Sequence, residues 1–200
     1  MSELKEYCRK LHVVMGFKNL DLIYNLKEVG ESNMFGIKYD LIRSFHLELL
    51  ESKNTSAVVQ RINKLSQKNN LNHYINEFGF NLLFFVRSDK IVNALLKNGV
   101  DANHLSNDYQ DSCYDRSTQK TSAIHYASWY GLKPVVMVLI DALADVNLLD
   151  GDGCTPMGYA QERYDRIRRN RFSHSIDEIN IFHLMKIMDL FRKHSGKPIY

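Results

Sequence analysis

A phrase that recurs at a fixed distance constrains this chain more than any other feature. Ser-Ala-Ile-His-Tyr-Ala-Ser begins at Ser122, and the similar Thr-Pro-Met-Gly-Tyr-Ala-Gln begins 33 residues later, at Thr155. A period of this length is typical of stacked units, because one unit is too small to bury its own apolar face and must pack against its neighbours. The sequence therefore predicts a linear array of units.

The pattern within one unit predicts two helices joined by a short turn. A helical spacing of small and apolar residues stops at Gly131, and Pro134 suits the first turn of a second helix, where its missing N–H costs little. The next unit opens at Thr155 and Pro156, an N-cap followed by a proline just inside the helix. We therefore expect an all-α fold, with turn chemistry at 150–153 (Asp-Gly-Asp-Gly) between units.

This pattern resembles the ankyrin repeat. The residues that support the resemblance are Ser122–Ser128, Gly131, Val135–Val136, Leu139–Ile140, Ala144–Asn147 and Gly153–Met157. The first phrase departs from the Thr-Pro-Leu-His of that family at Ser122 and Ala123, and the second phrase has Gly158 in place of His. The resemblance implies an ankyrin-repeat solenoid of three to four helix-turn-helix units, with extended hairpin loops and non-repeat helical caps.

Weaker matches extend the array in both directions. Units are expected at about 39–78, 79–120, 121–153 and 154–195, after an N-terminal helical extension or cap at 1–38. The first helix of the first unit is expected at 39–50, and that of the second unit is about three residues short. The second unit also holds 11 extra residues in a polar loop that runs to Lys120.

The last unit departs most from the repeat. Residues 163–175 are interpreted as an insertion within the unit 154–195. A capping-box pattern at Ser175 then starts a closing helix, whose expected apolar face includes Phe182. This helix is expected to cap the array, because terminal repeats need a polar outer face.

Composition excludes several classes of protein. The chain is 44% hydrophobic and 24% charged, as in ordinary globular proteins. No apolar run approaches the roughly 18 residues of a membrane helix, so no transmembrane segment is expected. Three widely spaced cysteines suggest neither a disulfide framework nor a zinc site, which favours a reducing, cytoplasmic location.

The sequence motifs predict no catalytic, cofactor-binding or metal-binding residue, so we expect the protein not to be an enzyme. No His-x-x-x-His or Cys-x-x-Cys pair is present, and a calcium loop at 150–153 is disfavoured because Gln161 stands where its glutamate would be. His125 is expected to be structural and to bond the backbone of a neighbouring turn. Cys113, with His104 nearby in sequence, is either a nucleophile or a surface thiol.

The resemblance implies a partner-binding surface, because in ankyrin arrays the turns project as fingers and the first helices line a concave face. The positions carried over are Glu77, Phe78, Phe80, Thr118, Gln119, Thr121, Gly151 and Asp152 on fingers, and Trp129, Tyr130, Glu162 and Arg163 on helices. Exposed Trp129 and Tyr130 would dominate the binding energy. The alternative is that the loop 104–120 folds over both and buries them.

The basic charge of the chain is local. The net charge is +3, and the segment 163–171 (RYDRIRRNR) has a charge of +4 by itself. This arginine block is either a solvated extension of the preceding helix or an anion site for an acidic or phosphorylated protein segment. The anion site would use Arg166, Arg168, Arg169 and Arg171. Nucleic acid is the less favoured partner, because the total charge is small.

The resemblance also singles out Asn147 and, second, Asn103. Leu139, Asp145 and Val146 stand before Asn147 as they do in ankyrin sequences modified by the iron- and 2-oxoglutarate-dependent asparaginyl hydroxylase of animal cells. The alternative is that both asparagines only tie their turns.

The function expected from these patterns is a non-catalytic module that binds another protein through the concave groove and the hairpin fingers. Two alternatives stay open. One is an effector, secreted or delivered by a parasite, that acts on host proteins in the host cytosol. The other is an anion- or nucleic-acid-binding protein that uses the arginine block.

Overall fold

The structure, a computed structural model, describes residues 32–76, 78–84, 86–107, 120–169 and 176–194. These residues form seven α-helices and no β-strand, which confirms the expected all-α class. The helices are α1 Tyr39–Glu51, α2 Thr55–Ser66, α3 Asp89–Lys97, α4 Ala123–Trp129, α5 Lys133–Asp141, α6 Pro156–Arg169 and α7 Ile176–Lys193. None of the described helices is long and apolar enough to cross a membrane.

The helices pack in two rows. In one row α2, α3, α5 and α7 are successive neighbours, and in the other α4 packs on α6. Within a unit, α4 packs on α5 and α6 packs on α7. Arg61 of α2 pairs with Glu48 of α1 and lies over the ring of Phe45. A continuous apolar core runs between the rows.

A five-residue turn recurs between the units with the same hydrogen bonds each time. It begins at Asn33, Asn76 and Asp150, whose side-chain Oδ1 accepts the backbone N–H groups two and four residues on. The fourth residue is a glycine with φ of 74°, 77° and 79°, respectively, a backbone conformation that glycine adopts without strain. An Asn or Asp residue followed three positions later by glycine therefore marks each of these turns in the sequence.

Asparagine side chains also tie each unit to the next. Asn72 Oδ1 accepts the N–H of Asp101 at 2.8 Å, and its Nδ2 donates to Gly99 O at 2.7 Å. One unit further on, Asn103 Oδ1 accepts the N–H of Asp145 at 2.8 Å. These bonds connect the loops that follow successive helices of the longer row, so the units are fixed by polar contacts as well as by the core.

The array starts earlier than the sequence suggested. The first of the recurring turns lies at 33–37, within the segment assigned to the N-terminal extension. Asn33 Nδ2 donates to His73 O at 2.7 Å, and Phe35 stacks on the His73 ring at 4.0 Å. Residues 32–38 thus pack with the unit that follows them. The rest of the expected N-terminal extension, residues 1–31, lies outside the described residues.

The second unit lacks the short first helix expected for it. Residues 82–84 form a turn, and α3 already begins at Asp89. Asn81 Oδ1 accepts the N–H of Leu83 at 3.0 Å while its Nδ2 donates to Asp101 O at 2.8 Å. Asn81 thus ties this turn to the loop that follows α3.

The arginine block belongs to a helix as far as the structure describes it. The sequence placed an insertion at 163–175, but α6 continues unbroken to Arg169. This observation agrees with the interpretation of the block as a helix extension. Residues 170–175, including the expected cap Ser175, lie outside the described residues.

The closing helix buries one apolar face, as expected, but Phe182 does not belong to that face. Phe182 is 56% exposed, so the prediction that it belongs to the apolar face is wrong. The buried residues of α7 are Leu184, Ile187, Met188 and Phe191, which have the i, i+3, i+4, i+7 spacing of one helical face. Two residues correspond to about 200° around a helix, which places Phe182 on the opposite side from Leu184.

One strained residue generates a stability prediction. Leu143 has φ of 63° and is 87% exposed, whereas Gly99 occupies the equivalent position of an earlier unit with φ of 81°. A side chain in this backbone region costs about 1–2 kcal/mol, partly offset by the greater unfolded-state entropy of glycine. We expect Leu143→Gly to raise the free energy of unfolding by about 0.5–1 kcal/mol, measured by urea unfolding. The control Gly99→Ala should lower it, and a less stable Leu143→Gly protein would contradict the prediction.

Candidate functional site

A cleft of about 280 Å³ opens beside the end of α4. It is lined by Arg87, Trp129, Tyr130, Gly131, Leu132, Arg163 and Leu184. Gly131, with φ of 67°, ends α4 and turns the chain into α5, so the aromatic pair lies directly before a sharp bend. The lining residues come from four separate parts of the chain, and only the packing of the helices brings them together.

Trp129 forms a covered floor and not an exposed anchor. Its side chain is 7% exposed, so the expectation of an exposed tryptophan is wrong. The guanidinium carbons of Arg163 and Arg166 lie 5.6 and 5.3 Å from the indole centroid, and the Tyr159 ring meets it edge-on at 6.1 Å. The cover thus includes side chains of α6. The sequence had offered the loop 104–120 as the cover, and its residues 108–119 lie outside the described residues.

Tyr130 stays partly exposed and lines the cleft. Its ring lies 4.5 Å from that of Tyr126, measured between centroids. Tyr130 is therefore a partly exposed residue whose ring packs against the buried Tyr126, and it is accessible to a partner at the cleft.

The arginines over the indole are not equally neutralised. Arg166 pairs with Glu162 at 2.7 Å, four residues before it on α6. Arg163 has no carboxylate partner within 4 Å among the described residues. Arg87, on the chain that leads into α3, lines the same cleft and is exposed. The cleft therefore presents cationic groups beside an aromatic floor.

The remaining arginines lie at the end of α6. Arg168 is exposed, donates to Tyr164 Oη at 3.3 Å and lies over its ring. Arg169 is also exposed and donates to Asp165 O at 3.3 Å. Cations in the last turn of a helix interact favourably with its dipole, which accounts for these charges without a ligand. Arg171 lies outside the described residues.

Several of the expected finger positions are buried. Phe78, Phe80 and Thr121 are inaccessible, so the expectation that they contact a partner is wrong for this structure. The Phe80 ring packs on Phe84 at 4.6 Å, which turns it into the core, and Thr121 O accepts the Ser106 N–H at 2.8 Å within a hairpin.

Two finger positions remain at the surface. Gly151 and Asp152 are exposed at the tip of the turn 150–154. Glu77, Thr118 and Gln119 lie outside the described residues. In the part of the chain that the structure describes, the accessible positions of the predicted partner surface are therefore one turn tip together with Tyr130, Glu162 and Arg163.

A buried serine–histidine pair resembles a nucleophile with its base. Ser122 Oγ lies 2.7 Å from His125 Nδ1, but both residues are fully buried. His125 Nε2 is 3.1 Å from Cys154 O. Because a carbonyl only accepts, Nε2 must hold the proton and donate it, which leaves Nδ1 as an acceptor. The pair therefore caps α4 and ties it to the next turn, which confirms the structural role expected for His125.

The acidic turn at 150–153 is satisfied internally. Asp150 Oδ1 accepts two backbone N–H groups of its own turn, and Oδ2 accepts the Tyr159 hydroxyl at 2.7 Å. Among the described residues, no group of three or more His, Cys, Asp and Glu side chains could hold a metal ion. His104 bonds Gly79 O at 2.7 Å, and Cys113 lies outside the described residues.

Asn103 and Asn147 occupy the same local turn in successive units. Each has its N–H bonded to the aspartate two residues before it, Asp101 or Asp145, at 2.8 Å. Both are exposed. The Asn103 side chain also accepts the Asp145 N–H, from the loop that follows α5.

Comparison with known proteins does not assign this site. No family model matches the chain, and no curated protein is significantly similar to it. The function must therefore follow from the geometry of the site itself.

The buried histidines predict an acid-sensitive fold. Burial lowers the pKa of His125 from 6.5 to about 4, against an opposing effect of Asp150, and lowers the pKa of His46 to about 3. Below pH 6.5 the unfolded chain binds more protons than the folded chain, so stability is full above that pH and falls towards pH 4. The loss should be about 2 kcal/mol per histidine between pH 7 and pH 5.

NMR titration of the histidine rings, together with urea unfolding, checks this prediction. The ring signals of His125 and His46 should stay in the neutral position down to pH 5. A midpoint near 6 for His125 would contradict the predicted effect of burial.

Proposed function

We propose that this protein is a non-catalytic protein-binding module built as an ankyrin-like solenoid. The observation that most supports the proposal is the turn that recurs at Asn33, Asn76 and Asp150 with the same hydrogen bonds. Together with the two rows of helices, it suggests units added one after another along a line. Such arrays offer an extended surface made of turn tips and one row of helices.

The proposed binding surface is the row of α4 and α6 together with the turn tip at Gly151 and Asp152. Tyrosine and arginine are residue types that often dominate interface energy, and Tyr130 and Arg163 provide them beside the cleft. Trp129 has a supporting role in this proposal, because it lies beneath the arginines.

Binding is favoured over catalysis because of what the reactive groups already do. Ser122 and His125, which have the spacing of a nucleophile and a base, are buried in a helix cap. Asp150 is occupied by its own turn and by Tyr159. These polar groups therefore hold the units together.

Two charge reversals on opposite rows test the proposed surface. Asp152→Arg changes an exposed turn tip, and Asp141→Arg changes an exposed residue at the end of α5, in the other row. Proteins captured from a lysate of the native cell by the wild type and by each variant are quantified by mass spectrometry. We expect Asp152→Arg to reduce capture of the specific partner about tenfold. Charge repulsion, or the loss of a contact made by the carboxylate, costs about 1.4 kcal/mol or more at an interface.

The matched control, Asp141→Arg, should leave the captured amount of that partner unchanged. Both variants should have the melting temperature of the wild type. The proposal is wrong if no captured protein depends on Asp152, or if Asp141→Arg removes the same proteins to the same extent.

We further propose Asn147 as a hydroxylation site, ahead of Asn103, on the basis of the ankyrin resemblance. The enzyme needs an extended substrate, so the repeat must open locally. Asn147 lies nearer the end of the proposed array than Asn103, and terminal units open most easily. We therefore expect Asn147 to be modified first.

Mass spectrometry after co-expression with the asparaginyl hydroxylase checks this proposal. We expect a gain of about 16 Da, the mass of one oxygen, on the peptide that contains Asn147, and less on the peptide that contains Asn103. An unmodified Asn147 peptide would mean that the asparagine only ties its turn.

A further inference from the structure

The cleft beside α4 combines two features that select a ligand. Its walls include the apolar side chains of Leu132 and Leu184 and the ring of Tyr130. Its charged lining residues, Arg87 and Arg163, are both cationic. A ligand that fits must therefore bring a negative group attached to an apolar stem.

Arg163 is oriented for this role by the indole. Its guanidinium lies over the Trp129 ring at 5.6 Å, an arrangement in which the cation interacts with the face of the ring. A guanidinium has five N–H donors, and a cation–π contact does not use them all, so Arg163 can still donate to a carboxylate. Prior ordering of the side chain lowers the entropy cost of binding.

The local charge balance favours an incoming anion. Arg163 and Arg166 lie over the same indole, and only Arg166 has a carboxylate partner, Glu162, among the described residues. Both cations lie against one ring, and repulsion between like charges is only partly screened at a half-buried site. A carboxylate bound at Arg163 would give Arg163 the kind of partner that Arg166 has in Glu162.

We propose that this cleft binds an acidic side chain, a glutamate or an aspartate, of an extended peptide segment of the partner. The inference rests on the proposed function, since it names the chemistry that the partner presents. The volume of about 280 Å³ is large enough for one side chain of a peptide but too small for the surface of a folded domain. The glutamate stem packs on the apolar wall while its carboxylate meets Arg163 and Arg87.

The fluorescence of Trp129 reports binding at the cleft, because Trp129 is the only tryptophan of the chain and lines the cleft. The probes are four pools of end-blocked hexapeptides that are randomised at five positions without tryptophan or acidic residues. The sixth position is fixed as glutamate, glutamine, lysine or phosphoserine. We expect a saturable change of tryptophan fluorescence with the glutamate pool, and binding about tenfold weaker with the glutamine pool.

Variants locate the effect. Arg163→Gln and Arg87→Gln should each weaken binding of the glutamate pool about tenfold. Arg168→Gln is the matched control, because it removes an exposed arginine of α6 that does not line the cleft, and it should leave binding unchanged. If Arg163→Gln does not fold, the difference between the glutamate and glutamine pools on the wild-type protein decides the outcome.

Four results would overturn the inference. They are equal binding of the glutamate and glutamine pools, an equal loss in Arg168→Gln, preference for the phosphoserine pool, and no saturable binding at millimolar concentration. Inorganic phosphate at the same concentration should not displace the glutamate pool, and displacement would indicate a site for any anion. Failure here, with the Asp152 test still positive, would leave the protein-binding proposal intact.

Discussion

One short-range interaction underlies the rest of the structure: an Asn or Asp side chain accepts two backbone N–H groups within a five-residue turn. At Asn33, Asn76 and Asp150 this bond fixes the direction in which the chain enters the next unit. The glycine that follows removes the strain of a positive φ. Because the turn has the same geometry each time, successive units leave it in equivalent orientations, and the helices form rows.

Buried polar groups then join the units. His125 accepts from its own helix cap and donates to the turn that contains Cys154, while Asn103 holds the N–H of Asp145. Burial keeps the imidazole neutral, because its pKa falls to about 4, and only the neutral ring can both accept and donate in this way. The hydrogen bond between α4 and the turn that contains Cys154 thus depends on the protonation state of the His125 ring, which is one reason why stability depends on pH.

The charge and the aromatic floor of the cleft depend on how the helices pack. Stacking α6 against α4 places two arginines over the ring of Trp129, so the aromatic surface that the sequence presents as a binding anchor becomes a support. The exposed feature is then the cationic edge of Arg163 beside Tyr130. Its combination of charge and apolar wall would suit the acidic peptide side chain proposed above better than a flat apolar patch.

The sequence by itself determined the helical class, the start of α1 at Tyr39, the Pro156 start of α6 and the structural role of His125. These features are local, since caps, prolines and glycines act on their own backbone. Tertiary structure decided the burial of Phe80, the cover over Trp129 and the arrival of Arg87 at the cleft. Burial and juxtaposition depend on which residues meet across the units, and a repeat period fixes the spacing of units but not the side chains that face each other between them.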